Sequence, residues 1–387
     1  MNRTMKRILP FALVLVSGAW IYACSSSSSD DNSDNTPDDE NQGEVDSGGG
    51  TTTTDAGHDA DAAKTDASDS GDADQAAPPV EATNPIPDGT VATSALDGVT
   101  LGSIGGVVWT AGGGGSGSLY YTQPDRGDGI GDLVFAVLSA DGKITSPAQP
   151  GAPDLTDECI NGIDRAGGIA LTGQTLFYTN PANQQLSSRS TNGDTLVDGS
   201  AACGAKQNGQ LVAHVQSPID LVLANDGTTI YVVDSTNGVY KVDIVTKDAT
   251  SIGMDDADVA NQPTGVALSK DGNTLYVSLA KTSQIIAYSI AADGTVTKNP
   301  EQPFPAFTAN NAVNNNTHNG LAVDSGGNVY VATSSGVQVF KPSGDPWGTI
   351  PVANGANNIS FGGPNKTTLY IGANLGIYTA PVAVAGQ

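Results

Sequence analysis

The feature that most constrains this chain is a hairpin unit that recurs along its last 300 or so residues. Each copy is an apolar strand, a tight turn, and a second strand rich in Tyr and Val. Clear copies begin at Gly168 (ending Leu176-Phe177-Tyr178), Asp220 (ending Ile230-Tyr231-Val232-Val233-Asp234), Gly265 (ending Leu275-Tyr276-Val277-Ser278), Gly320 (ending Val329-Tyr330-Val331-Ala332) and Asn358 (ending Leu369-Tyr370-Ile371-Gly372). A degenerate first copy runs Gly106-Val107-Val108-Trp109, a Gly-rich tip, then Leu119-Tyr120-Tyr121. The turns hold Asp226-Gly227, Asp271-Gly272 and Gly326-Gly327. Such pairs supply the positive φ that a two-residue hairpin turn requires. A third strand follows in most copies, at residues 238–244, 284–290, 336–340 and 377–380. Up to four strands per unit at this spacing is the sign of a β-propeller, and six copies predict six blades. No stretch of helical periodicity is long enough to compete. A β-sandwich and a seven-bladed ring stay as alternatives.

An open ring would leave two sheet edges with unpaired backbone groups. The strand around residues 90–96 is therefore expected to pair into the last blade.

The chain opens with a small cationic head, Arg3, Lys6 and Arg7, and an uncharged apolar run over residues 8–22. The run is shorter than the ~20 apolar residues a comfortable membrane span needs, and a charged head with a short apolar body is the secretory pattern. It ends Ile21-Tyr22-Ala23-Cys24, which resembles the lipobox of bacterial lipoproteins. That resemblance implies a signal peptide over 1–23, cleavage before Cys24, and acylation of its sulfur and new amino group. The other reading is an ordinary signal peptide with an incidental Cys24. Ser25 directly after Cys24 points to outer-membrane sorting.

Residues 24–89 are mostly Asp, Ser, Thr, Ala and Gly, with Lys64 the only cation and no aromatic residue. Such a stretch buries too little apolar surface to offset its ordering entropy. It is read as a tether that holds the domain at 90–387 away from a membrane, or as a merely solubilising tail. The formal net charge of −25 comes mostly from it. No basic face exists for nucleic acid, and acidity argues against adhesion to anionic lipid. The expected membrane link is the lipid alone, and the expected state is a monomer.

With Cys24 acylated, two cysteines remain, Cys159 and Cys203. In an oxidising compartment they are expected to pair; two free buried thiols are the alternative. No Cys-X-X-Cys pattern suggests a metal.

The last copies carry a resemblance. The runs His318-Asn319-Gly320-Leu321-Ala322-Val323-Asp324, Gly327-Asn328-Val329-Tyr330, Gly336-Val337-Gln338-Val339-Phe340 and Asn357-Asn358-Ile359-Ser360-Phe361-Gly362-Gly363-Pro364 resemble the gluconolactonase, senescence-marker-protein and luciferin-regenerating-enzyme family of six-bladed propellers. The likeness is good over residues 261–378 and faint over 101–251. It implies lactone hydrolysis assisted by a divalent metal, calcium or zinc, at the central opening. Of the family's ligands, the Glu position falls on Gly105, the Asn position on Thr264, and the Asp position on Asn319. Both carboxylates are absent, and neutral donors hold a hard cation far more weakly.

Other candidates compete. Asp220 opens a blade where its carboxylate would face the central opening, or it caps a turn. His318 adjoins a carried-over metal position as a base or ligand, or bonds a neighbouring loop; His58 and His214 are the other histidines. The acidic run 125–132 lacks the closing Glu of a calcium loop and reads equally as a solvated hairpin tip. No Gly-X-Ser-X-Gly elbow lies in the folded part, and residues 112–117 are followed by no Lys-Ser or Lys-Thr, so they form no phosphate loop. Two functions follow as expectations. One is a lipid-anchored, exported lactone hydrolase. The other is a non-catalytic surface propeller that binds a glycan, small molecule or protein.

Overall fold

The computed structural model describes residues 83–97, 101–111, 117–123, 132–145, 156–161, 163, 166–197, 200–204, 209–300, 304–307 and 320–387. Six four-stranded antiparallel sheets follow one another along the chain. Blade 1 is Val107–Thr110, Ser118–Gln123, Asp132–Val137 and Thr156–Asn161. Blade 2 is Ile169–Thr172, Thr175–Asn180, Gln185–Ser190 and Gln210–His214. Blade 3 is Pro218–Leu223, Thr229–Asp234, Gly238–Asp243 and Ala249–Ser251. Blade 4 is Pro263–Leu268, Thr274–Leu279, Gln284–Ile290 and Val296–Lys298. Blade 5 is Leu321–Val323, Val329–Thr333, Gly336–Phe340 and Pro346–Pro351. Blade 6 takes Asn358–Gly362, Thr368–Ala373 and Gly376–Pro381 from the end of the chain and Thr93–Ser94 from before blade 1.

The first strand of each blade touches the first strands of both neighbours, and that of blade 6 touches that of blade 1. These six strands are therefore the inner wall of a closed ring. The clasp is the expected one, with Thr93 opposite Thr379 and Ser94 opposite Tyr378. The same segment reaches the blades on either side: Ala92 N donates to Pro351 O at 3.1 Å, and Ile144 N donates to Ala95 O at 2.7 Å. The C-terminal tail straps the other way. Ser325 N donates to Ala385 O at 2.8 Å, and Gln387 Nε2 donates to Leu268 O of blade 4 at 2.8 Å.

The hairpins form as their turn chemistry dictates. Gly227, Gly272 and Gly327 sit at φ of 69°, 75° and 82°. In blade 3 the Asp226 carboxylate accepts from Thr228 N and Thr229 N, both at 2.8 Å, and locks the turn.

Register explains the core. Val108, Ala170, Val222, Ala267, Ala322 and Ser360 on the inner strands lie opposite Tyr120, Phe177, Tyr231, Tyr276, Tyr330 and Tyr370 on the second strands. A small or β-branched inner residue thus faces a large ring in every blade. All six rings are buried, and each packs into the seam shared with the next blade. The six hydrophobic clusters are six such seams, so apolar burial holds blade to blade around the ring. Each ring contributes about 2 kcal/mol by burial.

Candidate functional site

Two residues ahead of each of those register positions, the chain crosses the innermost part of the wall. The six equivalent residues are Gly106, Gly168, Asp220, Gly265, Gly320 and Asn358. Glycine is forced by closeness at several of them. A Cβ on Gly168 would lie 2.5 Å from Leu221 N, and one on Gly106 would lie 2.4 Å from Gly167 O. Asp220 and Asn358 alone extend side chains into the space the glycines leave.

Asp220 is 5% exposed. Its Oδ2 accepts from Val266 N of blade 4 at 3.1 Å, and its Oδ1 accepts from Asn358 Nδ2 of blade 6 at 3.3 Å. Asn358 Nδ2 also donates to Gly167 O, at the start of blade 2, at 3.1 Å. The carboxylate therefore joins blades 3, 4 and 6, and Asn358 extends the link to the start of blade 2. Burial pushes its pKa up to about 7, against the opposing pull of the donors around it. The Asp220 carboxylate is thus turned toward the inner strands of blades 4 and 6. The nearby role of turn-capping falls to Asp234, whose Oδ1 accepts from Thr236 N at 2.8 Å and Asn237 N at 3.0 Å.

Second-strand hydroxyls tie the wall together. Thr122 Oγ1 donates to Ala166 O at 2.5 Å and accepts from Gly106 N at 2.7 Å. Thr179 Oγ1 repeats the pattern one blade on, donating to Ile219 O at 3.2 Å. Thr264 is buried, and its hydroxyl lies 3.3 Å from Ser278 Oγ of its own blade.

The position where the family places a Glu is closed. A Cβ on Gly105 would stand 2.0 Å from Ala166 O and 2.8 Å from Thr122 Oγ1. Blade 2 has moved its backbone into the space a longer side chain would need. His318 and Asn319 lie outside the described residues, as do Cys24, residues 124–131 and the tether up to residue 82. Of the proposed constellation, the structure thus brings Asp220 to the axis, turns Thr264 toward its own blade, and leaves the histidine and its neighbour undescribed. His214 ends the outermost strand of blade 2 and is exposed, so it stands apart from the axis.

The cysteines pair. Cys159 on the outer strand of blade 1 bonds Cys203, which follows a small hairpin (Thr195–Val197 with Ser200–Ala202) inserted in blade 2. Their Cα atoms are 5.5 Å apart. Asp194 lies beside them, and the three donor atoms are within 4.8 Å of one another. The sulfurs are spent on each other, and Asp194 is held by Arg189 through a two-pronged pair at 2.8 and 2.9 Å. Tyr120 OH donates to the same carboxylate at 2.8 Å. This cluster joins blades 1 and 2 as a structural staple.

Asn358 was the residue that reading the sequence missed. It stood inside a quoted motif, yet only stacking the copies shows it replacing a glycine.

What these features define is a six-bladed propeller with a buried acid at its axis. Residues 238–374, from the third strand of blade 3 into blade 6, match the family described as the SMP-30/Gluconolactonase/LRE-like region, the one the sequence resembled. Solved structures agree on the fold. A provisionally assigned gluconolactonase superposes with a TM-score of 0.57 at 18% identity, covering 78% of this chain and 96% of its own. A gluconolactonase from Xanthomonas campestris gives 0.53 at 20%, covering 76% and 90%. A calcium-binding regucalcin from Agrobacterium tumefaciens gives 0.51 at 14%, covering 77% and 96%. No protein of curated function matches the sequence.

Proposed function

We propose that this chain is an exported propeller of gluconolactonase type, carried on a lipid at Cys24, that opens a small lactone at the mouth of its shaft. The observation that carries the reading is the axial carboxylate of Asp220, with a pKa raised to about 7. A base whose pKa lies near the working pH is the best compromise between being ionised and being basic. Water adds to the lactone carbonyl carbon as its proton passes to Asp220. The ring C–O bond then breaks, and the proton goes on to the departing alkoxide oxygen. Asn358 and Val266 N hold the carboxylate in place for both transfers.

A divalent cation is what the family resemblance adds, and a structural relative is described as calcium-binding. The described residues do not fit one. Gly105 offers no donor and no room, the Thr264 hydroxyl is directed at Ser278, and the Asp220 oxygens already accept N–H donors. No step is therefore routed through a metal. His318 and Asn319 keep only the roles that the resemblance suggests.

A pH-resolved assay of gluconolactone and aryl-ester opening tests the reading. The expected kcat/KM rises with pH and is half-maximal near the Asp220 pKa of about 7. Asp220→Asn should lower it by a factor of about 10²–10⁴. A rate equal to buffer at every pH ends the hydrolase reading.

The second reading, a binding propeller, is favoured by the closed Glu position at Gly105. Its readout is a thermal-shift screen. A melt raised by glycans or peptides but not by lactones selects it.

For the anchor, the cell envelope, and the outer membrane in particular, is the proposed location. The Ala23-Cys24-Ser25 step supports it. Fractionation of the native chain and of Cys24→Ser is the check, with only the variant expected in the soluble fraction.

A further inference from the structure

In a six-membered ring, blades 3 and 6 stand opposite one another. Asp220 opens blade 3 and Asn358 opens blade 6, and both occupy the ring position that is glycine in the other four blades. Their side chains meet at 3.3 Å. Glycine in blade 5 leaves room for that meeting: a Cβ on Gly320 would lie 2.8 Å from the Asn358 carboxamide. Sequence asymmetry and geometry thus coincide: of the six equivalent positions, the two that are not glycine reach across and bond.

We infer that this Asp220–Asn358 strut closes the axis with the chain's own groups, so that the centre neither needs nor retains a divalent cation. Three observations converge. First, the carboxylate oxygens receive N–H donors from two other blades. Those donors aim their positive ends at the lone pairs a cation would use, and a cation there would face them directly. Second, the carbonyl of Ala166 fills the space beside Gly105, where an acidic ligand would have to stand. Third, Thr264 and Ser278 bond within blade 4. The strut supplies cross-ring restraint without charge neutralisation by metal. It also keeps the acid buried, and that burial raises its pKa.

The strut concerns stability and metal content, so a chain that hydrolyses no lactone leaves it standing. The experiment uses the full chain. Elemental analysis of the purified protein, which needs no variant, should find far less than one calcium, zinc or manganese per chain. Thermal unfolding in EDTA and in millimolar calcium or manganese should agree within about 2 °C. Asn358→Ala should lower Tm by about 4 °C or more. Asn358→Asp places two carboxyl groups across the same gap, where like charges repel. It should melt below the native chain in EDTA and recover on adding calcium, since paired carboxylates suit that ion. One tightly held ion per native chain overturns the inference. So does a native Tm that falls by more than about 2 °C in EDTA, or an Asn358→Ala chain as stable as the native one.

Discussion

Asp220 carries a cost that depends on pH. Its folded-state pKa of about 7 stands above the unfolded value near 3.9. The folded protein therefore binds this proton more tightly than the unfolded chain does. The penalty for ionising Asp220 is absent below about pH 4 and complete above about pH 7. This group alone thus lowers stability as pH rises across that window. Replacing it with Asn removes the titration, so the Asp220→Asn melting temperature should vary less between pH 5 and pH 8 than the native one. Calorimetry at the two pH values checks it. At this scale the sequence was half legible. A lone acid opening a strand in a series of glycines announces itself, and Asp220 was singled out. Its partner did not stand out, because an Asn beside a turn has many bland uses. Gly105 was visible as a missing acid, but the carbonyl that closes the space comes from residue 166, across a blade boundary that no local pattern marks.

At the scale of elements, the staple between blades 1 and 2 is the least repetitive part of the ring. The disulfide spans 44 residues, and closing a loop of that length is worth about 4 kcal/mol in the chain-entropy account. Replacing Cys159 and Cys203 together by Ala should lower Tm by roughly 10 °C, read by thermal unfolding with and without reductant. The side chains of Arg189 and Asp194 are 3% and 1% exposed. Removing the acid takes a two-pronged partner from a buried cation, so Asp194→Ala should destabilise by about 3 kcal/mol; denaturant titration measures it. The pairing of the cysteines was legible from number and compartment. Their setting was not. The bond ties the outer edge of one blade to a hairpin inserted in the next. Inserted hairpins break the repeat, and a break carries no period to read. The hairpins themselves were readable nearly to the residue, because Asp-Gly and Gly-Gly turns and the Tyr of each second strand set their register.

Across the whole molecule, the blade count followed from six copies of the repeat, and the closing strand from the argument that exposed sheet edges must be covered. The structure covers them twice, by residues 92–96 at one terminus and by residues 385–387 at the other. A chain shortened to begin after residue 97 would leave the Gly376–Pro381 strand with an unpaired edge. It should emerge aggregated or unfolded, as size-exclusion chromatography would report. One aromatic per seam recurs around the ring. The repeat specifies seams, and seams specify the ring. Loops around the mouth obey no such period, which is why the ligand was the least readable part.

The clasp also fixes where the molecule meets mechanical load. Residues 92–96 grip blades 5, 6 and 1 at once, and ahead of them Pro85 O already accepts from Ala383 N at 2.9 Å. A pull on the chain before Pro85 would therefore be shared among neighbouring sheets.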